Sequence, residues 1–169
     1  IPQDPQGGSE IKNFTGKIEI KDLYFQYPNS KVPVFEGLNC EVNPGDLMAI
    51  IGFNGSGKST LIKSIIRILE FNRGQIFYDS VELSQLSLDW LKSNLIYLPQ
   101  EPKFIDGTLL DNLLGLTEIK KDKMNEILKT VDLVDFVNSD PYGIKMPMPN
   151  RGENLPFGIS KRIALARGM

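Results

Sequence analysis

The chain has no histidine, one cysteine, no surplus of charge of either sign and no long hydrophobic run. Each absence removes a class of function. Without histidine, the commonest general base and the commonest metal ligand are missing. Cys40 is the only thiol, so an internal disulfide framework is excluded and a structural zinc site lacks a ligand set. A lone cysteine fits a reducing compartment. Nineteen basic residues face 21 acidic ones, for a formal charge of −2, which gives no basic patch for nucleic acid or an anionic membrane surface. The longest apolar runs, such as LMAII at 47–51, fall far short of the ~20 residues that a spanning helix needs. No basic-then-apolar leader opens the sequence, and no direct membrane insertion is expected. Any membrane role is expected to run through a partner or a further part of the protein. What is present, 169 residues of which 41% are apolar, is enough for one compact domain with a core.

Residues 1–15, IPQDPQGGSEIKNFT, are rich in Pro, Gly and polar groups and are expected to form a linker or extended arm. In KIEIKDLYFQYP, the apolar residues Ile18, Ile20, Leu23, Phe25 and Tyr27 alternate roughly, as in a half-buried strand. GLNCEV, where Leu38, Cys40 and Val42 alternate with polar residues, predicts a second strand, followed by a Pro44-Gly45 turn. The continuous apolar run 47–51 predicts a strand buried on both faces of a parallel sheet. After Gly57 the period becomes helical, through Leu61, Ile62, Ile65, Ile66, Ile68 and Leu69, with Gly74 as a stop signal. GQIFYD and LIYLPQ read as short strands. Thr108 and Asp111 are spaced as a capping box ahead of LLDNLL. Met124, Ile127, Leu128 and Val131 mark an amphipathic helix. Residues 138–159, with four prolines and three glycines, read as loop, and RIALAR as helix. The order is β-rich first, then strand–loop–helix, then mostly helical.

GFNGSGKS, residues 52–59, matches G-x-x-x-x-G-K-[ST] without exception. At average residue frequencies, chance gives such a match in roughly one chain of this length in a few hundred. The context is also the one the motif requires: a buried strand predicted to enter and an amphipathic helix to leave. Glycines let backbone N–H groups approach phosphates, and the helix N-terminus adds a potential favourable to anions. Lys58 is expected to supply charge to the outer phosphates, and Ser59 a hydroxyl to Mg²⁺.

From FQYPNSKVPVFEGLNCEVNPGDLMAIIGFNGSGKST onward the chain resembles the nucleotide-binding domain of an ATP-binding cassette (ABC) transporter, and the resemblance covers nearly all of residues 16–169. It implies an α/β fold: a P-loop NTPase (RecA-like) core with an antiparallel β subdomain and a helical subdomain, incomplete at the C-terminus. It implies ATP and Mg²⁺ as ligands. Tyr27 falls at the aromatic position that stacks on adenine, with Val34 nearby. Gly52, Asn54, Gly55, Ser56, Gly57, Lys58, Ser59 and Thr60 become the phosphate contacts. Gln100, in LIYLPQEPKFIDGTLLDNL, falls where the family places a glutamine that reaches Mg²⁺ and the attacking water. FIDGTLLDNL is similar to the exporter branch, with peptide or toxin secretion systems most alike. The resemblance implies partners as well: transmembrane domains of a transporter, and a second nucleotide-binding domain, identical or paralogous. It places the domain at the cytoplasmic face of the cell membrane.

RGENLPFGISKRIALAR aligns with the family's signature, which usually reads Leu-Ser-Gly-Gly-Gln before a basic helix. Leu155, Gly158, Arg162 and the I-A-L-A-R run match; Pro156, Phe157 and Ile159 depart. In the family this segment contacts the γ-phosphate held by another subunit. Pro156 offers neither hydroxyl nor N–H, and Phe157 adds bulk where close approach is wanted. Ser160 is expected as a replacement cap. The catalytic glutamate and the Mg²⁺-binding aspartate are expected downstream of Met169. The leading expectation is an ATPase that powers export, with this segment alone inactive. The alternative is a non-hydrolysing or regulatory module of the same fold. A GTPase is disfavoured by the lack of N-K-x-D, and a small-molecule kinase by the lack of an Arg-rich lid.

Overall fold

The computed structural model describes residues 7–114 and 121–169. They form two units, Ile1–Leu95 and Ile96–Met169.

The first unit is built on a four-stranded antiparallel sheet of order β2-β1-β3-β4. Its strands are β1 Ile18–Phe25, β2 Phe35–Val42, β3 Arg73–Tyr78 and β4 Val81–Glu82. Central β1 pairs Ile20 with Cys40 on one side and with Ile76 on the other. Its alternation is imperfect for a structural reason. Asp22 is left-handed, with φ 46°, and the register to β2 shifts between Ile20 and Leu23. The bulge returns both apolar side chains to the core face. Gly74 is required opposite it: a Cβ there would stand 2.5 Å from the Asp22 carbonyl oxygen and 2.6 Å from Leu23 Cα. Gly74 therefore belongs to β3 and is not the helix stop expected from the sequence. Helix α1, Lys58–Ile65, ends earlier, and the chain turns through left-handed Arg67, φ 57°. Asp79 and Ser80, both at positive φ, make the two-residue β3–β4 turn.

Helix α2, Leu88–Asn94, was not legible from periodicity. Ser87 caps it, its Oγ accepting from the Trp90 N–H at 3.0 Å.

Residues 8–15 are bonded to this unit. The Ser9 N–H donates to the Gln85 carbonyl and the Ser87 N–H to the Ser9 carbonyl. Trp90 Nε1 donates to the Ile11 carbonyl. Phe14 packs edge-on to Trp90, with centroids 5.0 Å apart, and lies 6.0 Å from Tyr78. Asp79 accepts from the Thr15 N–H and hydroxyl and from the Lys17 N–H. The first six residues of the expected arm lie outside the described residues.

Two segments predicted as strands, 47–51 and 95–100, form no ladder among the described residues. Leu47 is 101% exposed and Ile51 92%. Apolar content favours burial, but a strand also needs a neighbour to take its N–H and C=O groups, and no described segment pairs with these.

The second unit packs α3 Leu109–Leu114, α4 Lys121–Thr130, α5 Val134–Ser139 and α6 Phe157–Gly168 around Leu109, Leu113, Leu128, Leu133 and Ile163. Met124, Ile127, Leu128 and Val131 are buried, as their spacing predicts. The β5–β6 pair, Gly107–Thr108 and Pro147–Met148, closes the entry to α3. The capping box forms: Thr108 Oγ1 accepts from the Asp111 N–H at 3.1 Å, and Asp111 Oδ2 accepts from the Thr108 N–H at 2.8 Å. Buried Asn112 is fully used, accepting from the Ile105 N–H and donating to the Ile105 and Thr108 carbonyls. The stretch expected to be loop holds short 3₁₀ turns at Gly143–Lys145 and Pro149–Gly152 as well as β6, and α6 begins inside it.

Two outcomes follow from these contacts. Burial alone would raise the Asp79 carboxyl, but hydrogen bonds from Thr15, Lys17 and Gly16 outweigh it and hold it below the usual range. A depressed folded-state value stabilises above the unfolded value and is lost on acidification through the folded one. Amide-exchange protection at Thr15 and Lys17 should therefore fall below about pH 4, and should already be low at pH 7 in Asp79→Ala. Separately, Thr108→Ala should cost about 1 kcal/mol, read as lost exchange protection across Asp111–Leu113.

Candidate nucleotide-binding site

The loop 52–57 leads directly into α1, with Gly57 in the N-cap position. Gly57 is left-handed, φ 91°, and a Cβ on it would stand 2.3 Å from Val34 Cγ1. Conformation and space both demand glycine there. Gly55 is left-handed at φ 82° with nothing within 4 Å of its Cβ position, and a Cβ on Gly52 would meet Ser56 Oγ at 2.5 Å. Asn54 is exposed in the turn that the Ser56 N–H closes onto the Phe53 carbonyl at 3.1 Å.

The first intrahelical bond of α1 runs from the Leu61 N–H to the Gly57 carbonyl. The N–H groups of Lys58, Ser59 and Thr60 therefore precede the helix ladder, and no acidic residue stands in the first turn. This is the arrangement that attracts an anion. The Lys58 ammonium donates to the Gly52 and Phe53 carbonyls at 2.8 and 2.7 Å, so it is folded back onto its own loop. Ser59 is exposed, and its hydroxyl has no hydrogen bond among the described residues.

Tyr27 stands beside this loop. Its ring packs edge-on against Phe25, with centroids 4.7 Å apart and planes at 88°. Its hydroxyl lies 2.9 Å from Thr60 Oγ1 on the first turn of α1. Val34 is fixed on the same side by its N–H, which donates to the Phe25 carbonyl at 2.7 Å. Tyr27, Val34 and residues 52–60 thus form one constellation, in which Phe25 is a member that the sequence reading did not single out.

Gln100, Leu155, Pro156, Phe157 and Gly158 belong to the second unit. Gln100 is exposed. Pro156 occupies the N-cap of α6 at φ −55°, ψ 141°, with no side-chain cap. Ser160 does not replace it: its hydroxyl donates to the Phe157 carbonyl inside the helix, and its N–H makes the first intrahelical bond, to Pro156. The Phe157, Gly158 and Ile159 N–H groups precede that bond. Phe157 is 69% exposed, and no atom lies within 4 Å of a Gly158 Cβ.

Lys161 was missed by the sequence reading. Its ammonium lies 5.1 Å over the Phe157 ring and donates to the Pro99 and Gln100 carbonyls, tying the Gln100 segment to α6. Its hydrogen-bond acceptors are backbone atoms, which leave no signal in a sequence. Arg162 Nη1 donates to Asp132, to the carbonyl and to Oδ2, both at 2.7 Å.

Comparison with known proteins places these features in one family. The family described as "ABC transporter" matches residues 35–169. The chain is 34% identical, over 96% of its length, to the ABC multidrug transporter MDR2 of Trichophyton equinum, and covers 12% of that protein. It is 30% identical over its whole length to the multidrug resistance protein pgp-1 of Caenorhabditis elegans, covering 13%. It is 34% identical over 96% of its length to ABC transporter B family member 13 of Arabidopsis thaliana, again covering 13%. One of these is named a multidrug transporter and another a multidrug resistance protein, whereas the exporter resemblance pointed to peptide or toxin secretion systems. In fold it resembles a bacterial Atm1-family ABC exporter solved with ATP bound, with a TM-score of 0.89 at 24% identity over 98% of this chain and 29% of that one. The match over residues 35–169, together with relatives at 30–34% identity along nearly the whole chain, shows that the chain belongs to the ABC transporter family.

Proposed function

We propose that the chain is the ATP-binding domain with which a longer ABC exporter powers substrate movement across a membrane. The observation that carries the reading is the joint presence of a helix start with three N–H groups outside the ladder, Lys58 on the same loop, and an exposed tyrosine hydrogen-bonded to that helix. The glycine positions support a phosphate in the loop, because the backbone there is stripped of side chains where a Cβ would collide or strain. On phosphate binding, Lys58 exchanges its two loop carbonyls for phosphate oxygens, a gain for a charged donor. Tyr27 offers its ring to adenine. Ser59 supplies a hard oxygen suited to Mg²⁺. No cluster of three or more acidic, Cys or His side chains among the described residues could hold a metal unaided. Magnesium would therefore be held together with the nucleotide, where it neutralises charge on the outer phosphates. Gln100 is assigned the coupling role between the metal, the attacking water and the membrane domains.

No described helix is long and apolar enough to cross a membrane. Family membership supports a domain that acts at the cytoplasmic membrane face, docked on transmembrane domains and paired with a second nucleotide-binding domain, identical or paralogous. In that pairing Leu155, Pro156, Phe157 and Gly158 face the partner's γ-phosphate.

A second reading is favoured by one specific observation. Pro156 holds the cap position of α6 and brings neither a hydroxyl nor an N–H, while the next three N–H groups remain. The electrostatic attraction of the helix end survives, but the side-chain donor is gone. Loss of one aligned donor at a developing charge lowers turnover roughly a hundredfold or more. The site completed by this helix is thus a weak hydrolase or a non-hydrolysing, regulatory one.

ATP hydrolysis by the intact protein decides between them. Turnover is expected to be slow, to vanish in Lys58→Ala, and to rise at least roughly tenfold in the double variant Pro156→Ser/Phe157→Gly. Fast turnover that the double variant leaves unchanged would reject the damaged-signature reading. Turnover unaffected by Lys58→Ala would reject the site itself.

A further inference from the structure

We propose that Thr60 is a positioning residue for Tyr27, its hydroxyl fixing the base-stacking ring. This rests on the nucleotide reading above. Three observations carry it. Thr60 is 7% exposed, while Ser59 next to it is exposed and unpaired among the described residues. The hydroxyl of Thr60 lies 2.9 Å from the Tyr27 hydroxyl, and either can donate to the other. The Tyr27 ring has one other contact of defined geometry, the edge-on packing against Phe25.

A ring held only at its edge can swing about its own χ angles. A ring held at its edge and at its hydroxyl has a fixed plane. Thr60 lies two residues after Lys58, on the first turn of the same helix. The hydroxyl link therefore refers the aromatic platform to the element that carries the phosphate donors. The spacing between base and phosphates is set by one rigid piece of backbone, and a ligand with both an aromatic base and a phosphate chain is selected over a bare polyphosphate. Val34 packs at the entry to the same helix, its Cγ1 taking the space a Gly57 Cβ would occupy.

The test compares ATP with inorganic triphosphate, by equilibrium binding to the intact protein. Thr60→Val and Tyr27→Phe each break the same bond from opposite ends. Each should weaken ATP about threefold to tenfold and leave triphosphate within about a factor of two. The double variant should be no worse than either single one, because only one bond is lost. Thr60→Ser, which keeps the hydroxyl, should bind ATP like the unaltered protein. A merely structural role would lower both ligands together and would not be rescued selectively. Equal losses for ATP and triphosphate in Thr60→Val would overturn the proposal and put Thr60 on phosphate. So would multiplicative losses in the double variant. Failure of the underlying reading looks different. Lys58→Ala would then leave triphosphate affinity unchanged, or Tyr27→Ala would leave the ratio of the two affinities unchanged.

Discussion

The first unit depends on one buried phenol. Tyr78, fully enclosed at the end of β3, donates its hydroxyl to the carbonyl of Ile65 at 2.8 Å, and Ile65 is the last residue of the helix that leaves the phosphate loop. Burial pushes the phenol well above its usual value, so it remains a proton donor throughout the neutral range. Around the same ring stand Phe14 and Trp90. The antiparallel sheet, the segment 8–15, helix α2 and the phosphate-loop helix therefore meet at one side chain. A helix of eight residues is marginal by itself. Here its C-terminal carbonyl is held by Tyr78, its first turn by Tyr27, and its entry by Gly57 against Val34. The geometry that recommends α1 as an anion site is thus imposed by the sheet beneath it.

The starts of α1 and α6 differ in how well they can hold a phosphate. At α1 the cap is a left-handed glycine and the next residue is a lysine, so N–H groups and a cation are offered together. At α6 the cap is a proline and the next residue an exposed phenylalanine whose ring is covered by Lys161. Both helix starts carry N–H groups outside the ladder, and the first adds a charged donor as its opening residue, Lys58. The resulting asymmetry is the physical content of the weak-hydrolysis reading.

Much of this was legible in the sequence, for reasons that differ from place to place. The phosphate loop was legible because its chemistry fixes residue types at fixed spacing, and backbone contact with an anion leaves few substitutes for Gly55 and Gly57. The capping box Thr108–Asp111 and the buried face of α4 were legible because they are local. Gly74 misled because its requirement is a close approach to β1 fifty residues earlier, which no local rule contains. The runs 47–51 and 95–100 misled because hydrophobicity reports a wish for burial but not a neighbour to pair with. Helix α2 was hidden by its shortness, although Ser87 before Trp90 carries the capping signal. The Tyr27–Thr60 bond and the grip of Lys161 on two backbone carbonyls had no sequence signature at all.

The central claim is that a nucleotide is held by the start of α1 with Tyr27 above it. Amide hydrogen exchange of the intact protein, with and without ATP and Mg²⁺, tests this most directly. The account predicts new protection concentrated in residues 52–61, where the N–H groups of Lys58, Ser59 and Thr60 precede the helix ladder, and no such change in Lys58→Ala. Protection that appears elsewhere while residues 52–61 exchange as before would contradict it.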